Sequence, residues 1–221
     1  MVLVNPNTST ATTRMMASLA RRALAGTGLP VRGVTAAHGP TMLTDPATLR
    51  AAVPHTVAAA RAALAEGGAA ALIVGAFGDP GVAELRAAVG EALPVVGIGE
   101  AALAEAAADG RRFGVATTTP LLADAITGHV ERLGLGPGYT GTRCTAGDPR
   151  RLTAHPEALL TALEDAVRTC VLRDGAEAVV IGGGPLGDAA AALRTRLPVP
   201  VIAPIPAACT RVARLLAAAG A

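Results

Sequence analysis

An internal repeat constrains this chain more than any single motif. Gly68-Ala-Ala-Ala-Leu-Ile-Val-Gly75 aligns with Gly175-Ala-Glu-Ala-Val-Val-Ile-Gly182, an offset of 107 positions. Pro94-Val-Val-Gly-Ile-Gly-Glu-Ala-Ala102 aligns with Pro200-Val-Ile-Ala-Pro-Ile-Pro-Ala-Ala208 at an offset of 106, and Leu3-Val-Asn-Pro-Asn-Thr8 with Gly114-Val-Ala-Thr-Thr-Thr119 at 111. Three similar offsets in chain order predict two similar units, although Ala-rich segments of this kind also resemble one another by composition. Within each repeat, short β-branched runs alternate with Ala/Leu/Arg stretches of helical period, the βαβα pattern of a parallel sheet. Strands are expected near Val2–Asn5, Val31–Thr35, Ala70–Gly75, Val95–Ile98, Phe113–Thr117, Tyr139–Cys144, Ala178–Ile181 and Pro200–Ile202. Helices are expected from Asp45 through Glu66 and from Pro156 through Arg173, and Asp79 before Pro80 reads as a helix N-cap followed by an N1 proline. The predicted fold class is α/β, two pseudo-symmetric lobes, each a parallel sheet flanked by helices. The first lobe comprises residues 1–98 plus 207–221, the second residues 99–206.

Composition removes several function classes. The chain has 221 residues, enough for a proper core without disulfide staples. All 19 basic residues are arginine, so lysine Schiff-base chemistry, anchored pyridoxal phosphate and a P-loop lysine are excluded. A net charge of +2, with only Phe77, Phe113 and Tyr139 as aromatics, argues against nucleic-acid binding. No apolar run approaches a membrane span, and the first residues lack the charged start of a secretory signal. Cys144, Cys170 and Cys209 show no CxxC spacing, which fits reduced thiols in the cytoplasm. His38, His55, His129 and His155 are scattered, so no metal site is expected.

Ligands of parallel sheets bind beyond the carboxyl ends of the strands. The expected cleft therefore sets Asn5-Pro-Asn-Thr-Ser9 opposite Ala116-Thr-Thr-Thr119, and Gly75-Ala-Phe-Gly-Asp79 opposite Gly182-Gly-Gly-Pro-Leu186. Matching loops on two sides suit removal of a proton from one face of a carbon and its return to the other. Asn, Thr and Ser at a strand-to-helix turn can simply cap the helix; functionally, Asn7 and neighbouring amides could hold a carboxylate or imide oxygen there. Gly182-Gly-Gly-Pro-Leu-Gly187 formally satisfies GxGxxG. No acidic residue follows Asp188, however, so nothing is placed to hold a dinucleotide ribose.

Taken together, Asn5-Pro-Asn-Thr-Ser9, Phe77-Gly-Asp-Pro-Gly81, Val95-Val-Gly-Ile-Gly-Glu-Ala-Ala102, Val115-Ala-Thr-Thr118 and Gly182-Gly-Gly184 resemble the Asp/Glu/hydantoin racemase superfamily, in its hydantoin and allantoin racemase branch. The resemblance runs along essentially the whole chain. It implies two α/β lobes with the active site between them, cofactor-independent chemistry on a small molecule and a homo-oligomer. It also implies two cysteines, one per lobe, that take and return the α-proton. Their positions here are Ala76 and Gly183, and neither residue can carry a proton.

The substitute acid/base candidates are His38, in the loop after the second strand, and Asp79. Substrate-binding candidates are Asn7, Ser9, Ala76, Phe77, Thr117, Thr118, Gly183 and Gly184. The three cysteines occupy none of the family positions and read as small apolar core residues, and Glu100 as a complement to its helix dipole. The expected function is a racemase-type enzyme acting next to a carbonyl or carboxylate by a mechanism without the two cysteines. The alternatives are a drifted enzyme (decarboxylation, elimination, hydration or cyclisation), a non-catalytic small-ligand-binding protein, or a native cysteine replaced at Ala76.

Overall fold

A computed structural model describes residues 1–220. The chain divides into two units: Met1–Ala101 with the segment beginning at Ile205, and Ala102–Pro204. Unit 1 runs β1 (Val2–Asn5), α1 (Thr10–Ala23), β2 (Arg32–Thr35), α2 (Pro46–Ala65), β3 (Leu72–Val74), α3 (Val82–Val89) and β4 (Val95–Gly97), and α4 (Ile98–Ala106) leads out of it. Unit 2 contains β5 (Phe113–Thr117), α5 (Ala123–Arg132), β6 (Tyr139–Cys144), α6 (Pro149–Thr153), α7 (Pro156–Leu172), β7 (Ala178–Ile181), α8 (Gly187–Leu193) and β8 (Val201–Ile202). The last helix, α9 (Pro204–Ala219), belongs almost wholly to unit 1.

Both sheets are parallel throughout, in the orders β2-β1-β3-β4 and β6-β5-β7-β8. Apart from the polar, mostly half-buried edge strands β2 and β6, the strands read as short, mainly apolar buried runs because helices cover both faces. In unit 1, Val2, Val4, Leu72, Val74 and Val95 pack with Ala60 and Ala63 of α2 and Val82 and Leu85 of α3. The alternating residues Leu3, Ile73 and Val96 point to the other face and are also fully buried. In unit 2, Ala116, Val179, Ile181 and Val201 pack against Leu159, Leu163, Val167 and Cys170 of α7 and Ala190 and Leu193 of α8. Gly114 lets α7 approach closely, since a Cβ there would lie 3.2 Å from the Cys170 sulfur.

Register corrects one detail of the repeat. β1 pairs with β3 as Val2↔Leu72 and Val4↔Val74, whereas β5 pairs with β7 as Gly114↔Val179 and Ala116↔Ile181. With Leu72 equivalent to Val179, Val4 corresponds to Ala116 and Asn5 to Thr117, one position later than the sequence alignment placed them. Short apolar strands slip by one residue at no cost in sequence similarity, but such a slip would exchange their faces in the sheet.

Candidate active-site loops

In unit 1 the loop after β1 is organised by Asn5, which is fully buried. Its Nδ2 donates to Asn7 Oδ1 at 2.9 Å, to the Ser9 carbonyl at 3.0 Å and to Thr13 Oγ1 at 3.0 Å, and its Oδ1 accepts the Asn7 amide at 3.2 Å. Asn7 Oδ1 accepts a second bond, from the Ser9 amide at 2.9 Å. Two donors on that oxygen fix the orientation of the carboxamide. Asn7 Nδ2 makes no hydrogen bond among the described residues and is presented as a free donor. Ser9 is the α1 N-cap, its Oγ accepting the Thr12 amide at 3.2 Å, so its hydroxyl serves the helix. Thr13, which no sequence motif singled out, ties this network to β2 through a 2.7 Å bond to Thr35 Oγ1.

The loop after β2 runs beside it. The Ala36 amide donates to the Asn5 carbonyl at 3.0 Å, and the Thr8 amide to the Pro40 carbonyl at 3.1 Å. His38 is exposed on this loop, its ring centroid 6.4 Å from that of the half-buried His55 on α2. Asp45 closes the loop with a capping box, its carboxylate accepting the Thr48 amide at 2.9 Å. That bond holds the Asp45 carboxyl below the usual carboxylate range.

The loop after β3 carries Ala76, Phe77 and Asp79, all buried. The sequence assigns Asp79 to the cap of the next helix, but α3 starts at Val82 behind Gly81 with no side-chain cap. Asp79 instead caps α4: Oδ1 accepts the Gly99 amide at 2.8 Å and Oδ2 the Glu100 amide at 2.7 Å. A carboxylate at those first amides is favoured by the helix dipole and by charge-assisted hydrogen bonds. The two glycines of Gly97-Ile-Gly99 make room for it. A Cβ on Gly97 would fall 2.2 Å from the Asp79 carboxyl carbon, and one on Gly99 would fall 2.0 Å from the Phe77 carbonyl oxygen. Glu100 continues the clasp, accepting the Gly97 amide at 3.3 Å and pairing with Arg86, whose Nε donates to the Val95 carbonyl at 3.1 Å. The Gly-x-Gly-Glu spacing was the available signal for this partnership between two quoted motifs.

In unit 2, Thr117 is fully buried, its hydroxyl donating to the Gly182 carbonyl at 2.7 Å and lying 3.0 Å from Thr119 Oγ1. Thr118 is also buried, and its hydroxyl makes no hydrogen bond among the described residues. Gly184 is buried and Gly183 half-buried; a Cβ on Gly183 would meet Leu186 at 3.0 Å. Ala76 and Gly183 hold matching places, each one residue beyond a glycine whose amide donates back to the central strand, Gly75 to Val4 and Gly182 to Ala116, both at 2.8 Å.

The cysteines divide. Cys170 and Cys209 are fully buried, and burial pushes both thiols up to about 12. Cys144, at the end of β6, is half-buried, and burial raises its thiol as well. All three are thiols, not thiolates, at neutral pH. Among the described residues, no group of three or more His, Cys, Asp or Glu is placed to hold a metal ion, and no helix is long and apolar enough to cross a membrane.

Comparison with known proteins agrees with this architecture. The chain is 30% identical over 223 residues to hydantoin racemase from Paenarthrobacter aurescens, covering 99% of this chain and 91% of that protein. Allantoin racemase from Klebsiella pneumoniae superposes with a TM-score of 0.89 at 26% identity, covering 99% of this chain and 87% of that one. Arylmalonate decarboxylase, 20% identical, shares the fold with a TM-score of 0.69 over 97% of this chain and 91% of its own. The model of the Asp/Glu/hydantoin racemase family matches residues 1–212, and the chain belongs to that family.

Proposed function

We propose that this protein is a cofactor-independent, racemase-type enzyme. It removes and returns the proton on a carbon next to a carbonyl or carboxylate of a small polar substrate, without the two thiols implied by its family resemblance. Hydantoin and allantoin racemases among its relatives make 5-substituted hydantoins the first substrate class to test. Asn7 carries the reading. Loss of the α-proton moves the C–H electron pair into an enolate whose charge gathers on oxygen, and a donor fixed in advance stabilises that oxygen most. Asn7 Nδ2 is such a donor, aimed by two bonds on its own Oδ1 and with no internal partner.

Ala76 and Gly183 have no proton to give. We assign the acid/base role to His38, whose exposed imidazole stands at the carboxyl end of the same sheet. It takes the proton from one face and, once the planar enolate has turned over in the site, delivers one to the other face, so configuration inverts and atoms and charge balance with no co-reactant. Asp79 has both carboxylate oxygens engaged at α4, so its part is to position Ala76 and Phe77 rather than to move a proton. Thr118 offers a hydroxyl, and Gly183 and Gly184 offer backbone, in the second unit's loops; Ser9 and Thr117 act through the helix cap and the bond to Gly182. We place the enzyme in the cytoplasm as a homo-oligomer, in line with three free thiols and the family resemblance.

The second reading is a drifted enzyme or a small-ligand-binding protein, favoured by the loss of acid/base groups at Ala76 and Gly183. Proton NMR in D2O with enantiopure 5-substituted hydantoins, allantoin, aspartate, glutamate and an arylmalonate separates the two. Enzyme-dependent deuteration with loss of optical activity supports racemisation. Carbon dioxide release or a new product supports drift, and silence with measurable ligand binding supports the binding protein.

A further inference from the structure

We infer that His55 is a positioning residue: its ring holds the Ala36–Pro40 loop and thereby sets where His38 stands. This inference rests on the acid/base reading of His38. The ring occupies the space a side chain at position 39 would need. Gly39 adopts φ +112°, and a Cβ on it would fall 2.7 Å from His55 Cδ2 and 3.2 Å from Cγ. The flat imidazole thus packs where a Cβ on residue 39 would stand, and the backbone there is in a conformation glycine adopts without strain. On one side of Gly39 is His38, whose imidazole makes no hydrogen bond among the described residues and faces the His55 ring at 59°. On the other is Pro40, whose carbonyl accepts the Thr8 amide. His55 is therefore joined through one glycine both to the acid/base candidate and to the residue following Asn7.

The residues α2 buries are Ala52, Thr56, Ala60 and Ala63, a stripe that excludes the half-buried His55. Replacing it should leave the helix in place and release only the loop.

The test combines backbone amide exchange with steady-state kinetics on the intact protein, using the most active hydantoin of the panel. In His55→Ala the Thr8 amide should exchange about tenfold faster as the loop opens locally. The Thr13 amide, bonded to the Ser9 carbonyl inside α1, should hold its rate. Turnover should fall about tenfold or more with KM changed by less than about threefold, because a displaced catalytic group costs kcat. His55→Phe keeps a flat ring against Gly39 and should restore both readouts to within about threefold of the parent. Gly39→Ala should do less harm when combined with His55→Ala than in the parent, since the two residues are in contact.

Unchanged Thr8 exchange in His55→Ala, or failure of His55→Phe to restore it, overturns the inference. Faster Thr8 exchange with unchanged turnover also overturns the link to the reaction, and identifies His38 as the faulty assignment. If no substrate in the panel turns over, the function reading fails separately, and the exchange rate at Thr8 still decides whether His55 holds the loop.

Discussion

The Gly75 amide of unit 1 donates to Val4 and the Gly182 amide of unit 2 donates to Ala116, and the correspondence extends to further backbone bonds. Ala36 to Asn5 is matched by Thr145 to Thr117, and Asp79 to Ala76 by Leu186 to Gly183, all backbone bonds between 2.9 and 3.2 Å. Arg86 Nε reaches the Val95 carbonyl, and Arg194 Nε reaches Val201 at 2.8 Å. Side chains at the matched positions nevertheless differ in kind. Where the first repeat has Asp79, Gly99 and Glu100, the second has Leu186, Ile205 and Pro206, with Gly99 equivalent to Ile205 by the register of β4 and β8, although Ile205 and Pro206 belong to unit 1. The same backbone turn thus carries a carboxylate bonded to two amides at Asp79 and a buried apolar side chain at Leu186. Strand order and register maintain the scaffold, which leaves loop side chains free to be assigned to other work.

The sharpest way to break this comparison is at Gly99. Gly99→Ala drives a methyl into the Phe77 carbonyl and should cost about 4 kcal/mol or prevent folding, among the largest single-residue effects. Ile205→Val, at the matching place, should cost only about 1 kcal/mol as an ordinary core deletion. Urea unfolding of the two variants checks the contrast, and similar costs would show that the clasp is not distinct. Next in size is Asp79→Asn, which weakens two charge-assisted bonds at a buried site and should cost about 2 kcal/mol. Thr117→Val removes one buried neutral bond to Gly182 and should cost about 1 kcal/mol.

One further effect, confined to alkaline pH, is shared by the units. Each holds one fully buried thiol, Cys209 in unit 1 and Cys170 in unit 2, raised by burial from 9.0 to about 12. The folded protein keeps protons that the unfolded chain releases, so this stability is complete below about pH 9 and is lost as pH rises toward 12. The urea midpoint should fall across that window, and the fall should be shallower in Cys170→Ala and in Cys209→Ala.

Much of the fold was legible because most strands, β2 and β6 excepted, are short apolar runs near glycine or proline, and each expected strand is found in place, with ends shifted by up to two residues. The one-residue offset between Asn5 and Thr117 was not legible, since only pairing with β3 and β7 fixes it. Asp79 shows the limit for the site. Its neighbour Pro80 announces a local cap, but the amides it serves lie 20 and 21 residues away. Ser9 could be read as a cap from its place before α1. The free donor on Asn7 could not, because it depends on which of its atoms Asn5 and Ser9 engage.

The most direct measurement follows the α-proton of an enantiopure 5-substituted hydantoin in D2O, with the parent protein, Cys144→Ser and His38→Ala compared side by side. A thiol-independent mechanism predicts deuteration with loss of optical activity in the parent, the same in Cys144→Ser, and a fall of at least about a hundredfold in His38→Ala, the scale of a lost general acid/base. Exchange that vanishes in Cys144→Ser and survives in His38→Ala would contradict that mechanism, and would return the chemistry to a thiol.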